Sequence, residues 1–197
     1  LSYHDYLSLM LQYRAIFQLA PTPSFDVTDP RGLIQSQVLQ NYNGRFRLAL
    51  NASASPDTAS NRFVRQYGGS GIHHVALRTN AMRDTSAALR QAGTPLLPIP
   101  GNYYRDLAAR FDLPAQTLQW MQEHHILFDQ DSDGDFHQLY TQPGHQAFFF
   151  ELVQREGYQG LGAPNAFVRV TAQQRLEAEI DSIARETPNH SKGESQA

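Results

Sequence analysis

The stretch Ile-His-His-Val-Ala-Leu at residues 72–77 decides the fold, because it predicts a β-strand that carries two imidazoles. Side chains alternate between the two faces of a strand, so His74 faces one way and His73 the other. Residues 80–92 predict a helix with a polar residue at its start and Gly93 just past its end. A strand that leads directly into a helix is the start of a β–α unit.

Three further strands complete this half of the chain. Two short helices come first, at residues 102–110 and 114–124. The strands are predicted over residues 126–128, 135–141 and 147–154. Apart from the inserted helices, the order is β–α–β–β–β, and a last helix is predicted from residue 171 onward.

The first half of the chain has the same pattern without its opening strand. A helix with an apolar stripe is predicted near the start of the chain. Strands follow at residues 32–39 and 45–50, joined by a turn at residues 41–44 that contains Asn-Gly. Residues 51–70, which are rich in Asn, Ser and Ala, predict a flexible connector between the halves. The missing strand leads us to expect that the chain is part of a longer protein.

Composition narrows the classes of function. The 197 residues are 41% hydrophobic and 11% aromatic, which is enough for a sizeable core. The formal net charge of −3 gives no basic excess for a nucleic-acid backbone or an anionic membrane. The absence of cysteine excludes disulfides, thiolate zinc sites and iron–sulfur clusters. No signal peptide opens the chain and no stretch approaches the roughly 20 apolar residues of a membrane span, so we expect a cytoplasmic protein.

Three polar side chains within predicted strands are candidates for a site. Besides His74, Glu151 follows three phenylalanines and Gln138 lies in an apolar strand. A carboxylate among apolar neighbours is costly to bury unless it is paired, protonated or bound to a metal. Two histidines and one carboxylate form the facial triad of non-haem Fe(II) enzymes, and two of these three ligands are visible here. The alternatives are a buried structural pair and side chains that face solvent.

Five motifs along the chain form a recognisable series. They are Gly-Ser-Gly-Ile-His-His-Val-Ala-Leu at 69–77, Leu-Pro-Ile-Pro at 97–100, Tyr-Tyr-Arg-Asp-Leu at 103–107, Phe-Phe-Glu-Leu-Val-Gln-Arg at 149–155 and Gly-Leu-Gly-Ala-Pro-Asn at 160–165. In this order and at this spacing they resemble the catalytic domain of 4-hydroxyphenylpyruvate dioxygenase. The chain is similar still more to the dioxygenase-like C-terminal half of bacterial two-domain 3-dehydroshikimate dehydratases, in which an N-terminal TIM-barrel domain converts 3-dehydroshikimate to protocatechuate.

The resemblance implies an α+β protein of the vicinal oxygen chelate fold, in which paired βαβββ modules form curved mixed sheets around a metal. Residues 1–62 would form the first module, with its first strand missing, and residues 63–170 the second. Residues 171–197 would form a C-terminal helix and a polar tail.

The resemblance also implies a set of site residues. His74 matches the second metal histidine of the family and Glu151 matches the metal carboxylate, while the first metal histidine is expected just upstream of Leu1. Polar positions of the substrate pocket are matched by Ser36, Asn51 and Gln138.

Three further pocket positions depart from the family pattern. His73 stands where the dioxygenase has glutamine, and Leu161 and Ala166 stand where it has two phenylalanines that sandwich the substrate ring. An aromatic stack contributes about 1 kcal/mol per pair, so these changes weaken the case for an arylpyruvate substrate.

Three interpretations follow from the resemblance and the departures. In the first, the chain is a metal-binding module of a 3-dehydroshikimate dehydratase-type fusion, a lyase of aromatic compound metabolism. It binds Fe(II), Mg²⁺ or Mn²⁺ beside a TIM-barrel domain of the same polypeptide, and its own reaction stays open. The second is an Fe(II)-dependent dioxygenase that acts on 4-hydroxyphenylpyruvate or a related arylpyruvate as small-molecule substrate. The third is a metal-free interaction domain. No nucleic acid or membrane partner is expected, a homo-oligomer is left open, and no catalytic residue is assigned.

Overall fold

A computed structural model describes residues 1–144 and 147–186. The helices are α1 (Tyr6–Phe17), α2 (Ala59–Tyr67), α3 (Met82–Gln91), α4 (Gly101–Arg110), α5 (Ala115–Glu123) and α6 (Ala163–Glu186). The strands are β1 (Ala20–Pro21), β2 (Phe25–Asp29), β3 (Gly32–Gln40), β4 (Arg47–Ala52), β5 (His74–Arg78), β6 (Leu127–Gln130), β7 (Asp135–Tyr140) and β8 (Phe149–Glu156). The strands form two four-stranded sheets, one from each half of the chain.

The first sheet is antiparallel and centres on β3, which pairs with β1, β2 and β4. Ser36 lies opposite Asn51 in the β3–β4 ladder, and Gln40 lies opposite Arg47. Because side chains alternate along a strand, these four residues share one face of the sheet. That face carries the polar positions of the first half of the chain.

The second sheet has the order β5-β8-β7-β6. The strands β5 and β8 are parallel, whereas β7 pairs antiparallel with both β8 and β6. A parallel pair needs a long crossover, and α3, α4 and α5 lie in the connection that follows β5. The predicted β–α–β–β–β order of this half is therefore confirmed.

The main hydrophobic core lies between the second sheet and the helices that follow β5. It contains fully buried residues of α4, α5, β6, β7 and β8, namely Leu107, Met121, Phe128, Leu139 and Phe149. A smaller cluster in the first half consists of Leu19, Leu39 and Leu50, with residues of α1 packed against it. The second sheet therefore packs against the larger hydrophobic core, and it carries His74 and Glu151.

The His137 imidazole lies against this core and is expected to make stability depend on pH. Burial lowers the pKa of His137, with Arg83 acting in the same direction and Asp135 opposing it. The Nδ1 atom is buried without a hydrogen-bond partner. Below the unfolded-state pKa of about 6.5 the unfolded chain binds a proton that the folded chain does not, so acid lowers the free energy of unfolding.

We therefore expect His137→Gln to reduce the pH dependence of stability between pH 6.5 and pH 5. One such group contributes at most about 1.4 kcal/mol per pH unit. Urea unfolding at a series of pH values measures the slope. The exposed His4 offers a matched control, and His4→Gln is expected to keep the wild-type slope. An unchanged slope in His137→Gln would contradict the prediction.

Two parts of the sequence-based assignment are wrong. Residues 51–70 are not a flexible connector throughout, because they contain α2, which buries Phe63 and ends at Gly68 in a left-handed conformation. The last helix begins at Ala163 rather than at residue 171. Pro164 lies in its first turn, where backbone N–H groups have no partner within the helix, so the missing N–H of proline costs no hydrogen bond. Residues 187–197 of the predicted tail lie outside the described residues.

The predicted division into residues 1–62, 63–170 and 171–197 stays a prediction. Within the described part of the chain, every helix falls short of the length and apolar character that a membrane crossing requires.

Candidate metal and substrate site

The structure brings His74 and Glu151 together, as the sequence predicts. His74 Nε2 lies 3.6 Å from Glu151 Oε2. His74 is the first residue of β5 and pairs with Phe149 of the parallel strand β8, against which its ring stacks at 4.8 Å between centroids. Glu151 lies two residues further along β8, on the same face as Phe149. The strand pairing thus fixes both side chains at one point.

The Glu151 carboxylate is held by two side chains of β7. Gln138 Nε2 donates to Glu151 Oε1 at 2.9 Å, and the Tyr140 hydroxyl donates to the same oxygen at 3.0 Å. Gln138 also donates to the Tyr140 hydroxyl at 2.8 Å, which closes a triangle of hydrogen bonds. All three residues are buried. One carboxylate oxygen is therefore fixed in place, and Oε2 accepts no hydrogen bond from any residue that the structure describes.

The hydrogen-bond network continues from Gln138 to the start of α6. Asn165 Nδ2 donates to Gln138 Oε1 at 2.9 Å and to the Phe128 carbonyl at 3.1 Å. The Tyr103 hydroxyl lies 3.1 Å from Asn165 Oδ1 and accepts from the Phe128 amide at 2.8 Å. Asn165 is buried. The amide of Gln138, and through it Glu151, thus takes its orientation from a residue on a different element.

One glycine makes the approach of α6 to β7 feasible. Gly162 has a φ of +66°, and a Cβ atom there would lie 2.5 Å from Gln138 Oε1 and 2.6 Å from a ring carbon of Phe136. Only glycine combines this backbone conformation with so close a contact. The Gly-Leu-Gly sequence before α6 therefore lets the 160–162 segment lie directly on the strand that carries Gln138.

Burial and the nearby Arg169 control the charge at this site. Burial, aided by Arg169, lowers the pKa of His74 to about 3, so its imidazole is neutral at neutral pH. Burial raises the pKa of Glu151, while its bonds to Gln138 and Tyr140 and the charge of Arg169 oppose that shift. Because the His74 imidazole is neutral at neutral pH, the His74–Glu151 contact is not an ion pair.

His73 has different surroundings from His74. Its ring lies edge-on against Phe63 of α2 and Phe149 of β8, with 4.8 Å between centroids in each case. It also lines a small cavity that α2 and α6 border. Burial lowers the pKa of His73 well below its usual range. The prediction that the two histidines face opposite ways is wrong, because β5 begins at His74 and strand alternation does not extend to His73. The two Nδ1 atoms lie 3.4 Å apart, and His73 does not contact the His74 nitrogen that faces Glu151.

The remaining predicted pocket residues fall into two places. Ser36 and Asn51 form a cross-strand pair in the first sheet, and the Leu1 amino group donates to the Asn51 carbonyl at 2.7 Å. Leu161 lines a cavity of about 480 Å³ between the first sheet and the segment before α6. Ala166 lies on α6, one residue after Asn165, and is half-buried.

Four residues of this region were not identified from the sequence. Tyr140 follows Gln138 by two residues and so faces the same way, a signal that strand alternation offers. Asn165, Arg169 and Arg47 come to the site only through the packing of α6 and the pairing of β4, which the sequence pattern alone does not specify.

The His74–Glu151 pair has the donors that a divalent metal ion requires. Such ions bind neutral imidazole nitrogen and carboxylate oxygen at about 2.1 Å, which separates two ligands by about 3.0 Å at a right angle and about 3.4 Å at a tetrahedral one. The observed 3.6 Å is close to this range. No third His, Asp or Glu joins the pair within residues 1–144 and 147–186. The residues present therefore fit part of a metal centre.

Comparison with known proteins identifies relatives of two kinds. The chain is 41% identical over 168 residues to 3-dehydroshikimate dehydratase of Pseudomonas putida, covering 84% of this chain and 26% of that protein. It is 32% identical over 142 residues to 4-hydroxyphenylpyruvate dioxygenase of Caenorhabditis briggsae, covering 67% of this chain and 36% of the relative. The chain thus spans about a quarter to a third of the length of these curated relatives. No protein-family model matches it.

Solved structures agree with the sequence relatives. A xylose isomerase-like TIM barrel/4-hydroxyphenylpyruvate dioxygenase fusion protein is 38% identical, with a TM-score of 0.74 over 89% of this chain and 28% of the fusion protein. A mutant of 4-hydroxymandelate synthase from Streptomyces coelicolor has a TM-score of 0.81 over 90% of this chain and 52% of its own, at 22% identity, which supports the fold. The chain is therefore a 4-hydroxyphenylpyruvate dioxygenase-like domain of the vicinal oxygen chelate fold, homologous to part of the bacterial 3-dehydroshikimate dehydratases.

Proposed function

We propose that this domain binds one divalent metal ion through His74 and Glu151, and that it is joined in one polypeptide to a TIM-barrel 3-dehydroshikimate dehydratase domain. The observation that carries the metal part is the neutral imidazole nitrogen 3.6 Å from a buried carboxylate oxygen that accepts no hydrogen bond among the described residues. A buried carboxylate oxygen that accepts no hydrogen bond is stabilised by a bound cation.

The proposal takes its third ligand from a histidine upstream of Leu1. The Leu1 backbone nitrogen lies 2.7 Å from the Asn51 carbonyl of β4, and the Ser2 amide donates to the Ser70 hydroxyl, four residues before His74. A residue placed before Leu1 would therefore lie near the first sheet and near the segment that leads into β5. This position supports a ligand from a preceding strand.

The residues around Glu151 have a definite role in this proposal. Gln138 and Tyr140 bond to Oε1 and so leave Oε2 directed at His74. Groups that orient metal ligands in this way commonly contribute 10- to 100-fold to metal affinity. When bound, a divalent ion would supply a Lewis acid with open positions for a bidentate oxo acid. Arg169 adds a positive charge beside the pair that favours an anionic ligand.

A second candidate function is an Fe(II)-dependent dioxygenase acting on a 2-oxo acid. The cavity of about 480 Å³ that Leu161 lines favours it over a purely structural domain, because this volume suits a small molecule. In that case the chain would hold the acid beside the metal and keep water out of the pocket. The metal identity would then be Fe(II) rather than Mg²⁺ or Mn²⁺.

Metal analysis of paired variants tests the metal site. We expect elemental analysis of the purified protein, including the residues that precede Leu1, to show about one equivalent of a divalent metal. His74→Ala should lose most of it, because it removes a ligand, whereas His73→Ala should retain it. Equal loss in both variants would show that the ligand assignment is wrong, and a wild-type protein without metal would favour the metal-free interaction domain.

The coding sequence upstream of Leu1 tests the fusion. A TIM-barrel sequence followed by a strand that ends in histidine would support both parts of the proposal. A different upstream domain would exclude the dehydratase fusion but leave the metal site standing.

A further inference from the structure

The cavity beside Leu161 has an arginine in its wall. One side of the cavity is formed by the first sheet, including Gln40 and Arg47, and the other by residues 158–164 at the start of α6. Gln40 and Arg47 are cross-strand partners, so their side chains lie together on the wall. The wall therefore presents an amide and a guanidinium to the same space.

The Arg47 guanidinium lacks an acidic partner. Its Nε is buried without a hydrogen bond, and no carboxylate lies within ion-pair distance of Arg47 in the part of the chain that the structure describes. A guanidinium has five N–H donors, and a buried donor without an acceptor costs stability. The wall of the cavity therefore presents N–H groups of Arg47 that have no acceptor in the described part of the chain.

A second arginine lies behind the cavity wall. Arg155 donates from Nη1 to the carbonyl of Gly160, which lines the cavity, and its guanidinium lies 4.0 Å above the Phe136 ring. Burial lowers the pKa of Arg155, and the charge of Arg47 adds to that shift, whereas the charge of Glu151 opposes it. An anion beside Arg47 would therefore reduce the repulsion between the two guanidinium groups.

The cavity is connected to the metal pair through Gly162. This glycine stands between two residues that line the cavity, Leu161 and Ala163, and it lies against Gln138, which bonds to Glu151. Leu161, which also borders the cavity, has no aromatic ring with which to stack on a phenol. The features that distinguish this cavity are thus cationic rather than aromatic.

The geometry points to a ligand with two anionic ends. We propose that the cavity binds a 2-oxo acid whose distal end carries a second carboxylate, and that Arg47 receives this carboxylate. The inference rests on the proposed function, since it names the substrate class of the same site. A guanidinium and a carboxylate form two parallel charge-assisted hydrogen bonds, which select for a carboxylate over a neutral ring substituent.

Binding of two matched oxo acids tests the inference. We would titrate 4-carboxyphenylpyruvate and phenylpyruvate into the protein by calorimetry, with and without Mn²⁺. The wild type should bind the carboxylated compound about tenfold more tightly, which corresponds to about 1.4 kcal/mol. Arg47→Gln should bring that ratio close to one and leave the Kd of phenylpyruvate unchanged. Arg45→Gln removes the same charge from an exposed position nearby and should keep the wild-type ratio.

The ratio and the metal dependence separate the two proposals. Weak binding of both compounds with no effect of Mn²⁺ would contradict the metal site, whereas the ratio measured in the same titrations would still test Arg47. A wild-type ratio near one, a ratio that survives Arg47→Gln, or no binding of either compound at millimolar concentration would overturn the inference. Thermal unfolding of each variant shows whether it is folded.

Discussion

Replacing Asn165 with alanine is expected to lower the free energy of unfolding by about 3 kcal/mol. The side chain is 2% exposed and bonds to the Gln138 side chain, the Phe128 carbonyl and the Tyr103 hydroxyl. Its loss leaves the acceptor Gln138 Oε1 without a donor in a buried site, and each unsatisfied buried polar group costs about 1–3 kcal/mol. Urea unfolding followed by fluorescence measures the change.

A nearby asparagine serves as the control for this experiment. Asn102 is exposed on α4, next to Tyr103, and Asn102→Ala should change the stability by less than about 0.5 kcal/mol. A loss below about 1 kcal/mol in Asn165→Ala would show that water replaces the missing amide and that the network is not continuous.

We expect the protein to form homogentisate from 4-hydroxyphenylpyruvate at least about 100-fold more slowly than the median enzyme turnover of about 10 per second, even with Fe(II) supplied. The resemblance matches Leu161 and Ala166 to the two phenylalanines that sandwich the ring in the family, and the role proposed for Arg47 favours a carboxylate over a phenol. An oxo acid could still bind a metal, but a ring displaced by about 1 Å costs about 100-fold in rate.

Oxygen consumption and homogentisate formation by the protein with the residues that precede Leu1 measure this rate. The double variant Leu161→Phe/Ala166→Phe restores both rings and should bind 4-hydroxyphenylpyruvate more tightly than the wild type does. Turnover near 10 per second in the wild type would contradict the prediction and favour the dioxygenase interpretation.

The strands of the second half could be predicted because each contains a short run of apolar residues. These runs placed His74 and Glu151 on strands, and the pairing of β5 with β8 brought them together. The prediction missed β2, Phe25–Asp29, because it has only two apolar residues and lies between prolines, although those two alternate with polar ones. The prediction also missed α2, in which Phe63 alone is buried, so that a short helix on the surface carries little apolar signal.

The hydrogen-bond network around Glu151 could not be predicted from the sequence, for a different reason. Its members are contributed by β7, β8, α4 and α6, and contacts between such distant segments depend on how the elements pack. Arg47 shows the same limit, since an arginine near the start of a predicted strand is typical of a solvated edge. Only the register of β4 against β3 and the position of residues 158–164 place it in a cavity wall.

The course of α6 gives the two ends of the site a common support. Pro164 at its start borders the cavity, and Arg169 acts on the charges of His74 and Glu151. Five residues of helix separate them, about 7.5 Å of a rigid rod. A molecule that displaced the cavity end of this helix would also displace the positive charge beside the imidazole and the carboxylate. We therefore expect occupancy of the cavity to change the affinity for a cation, and each should be measured in the presence of the other.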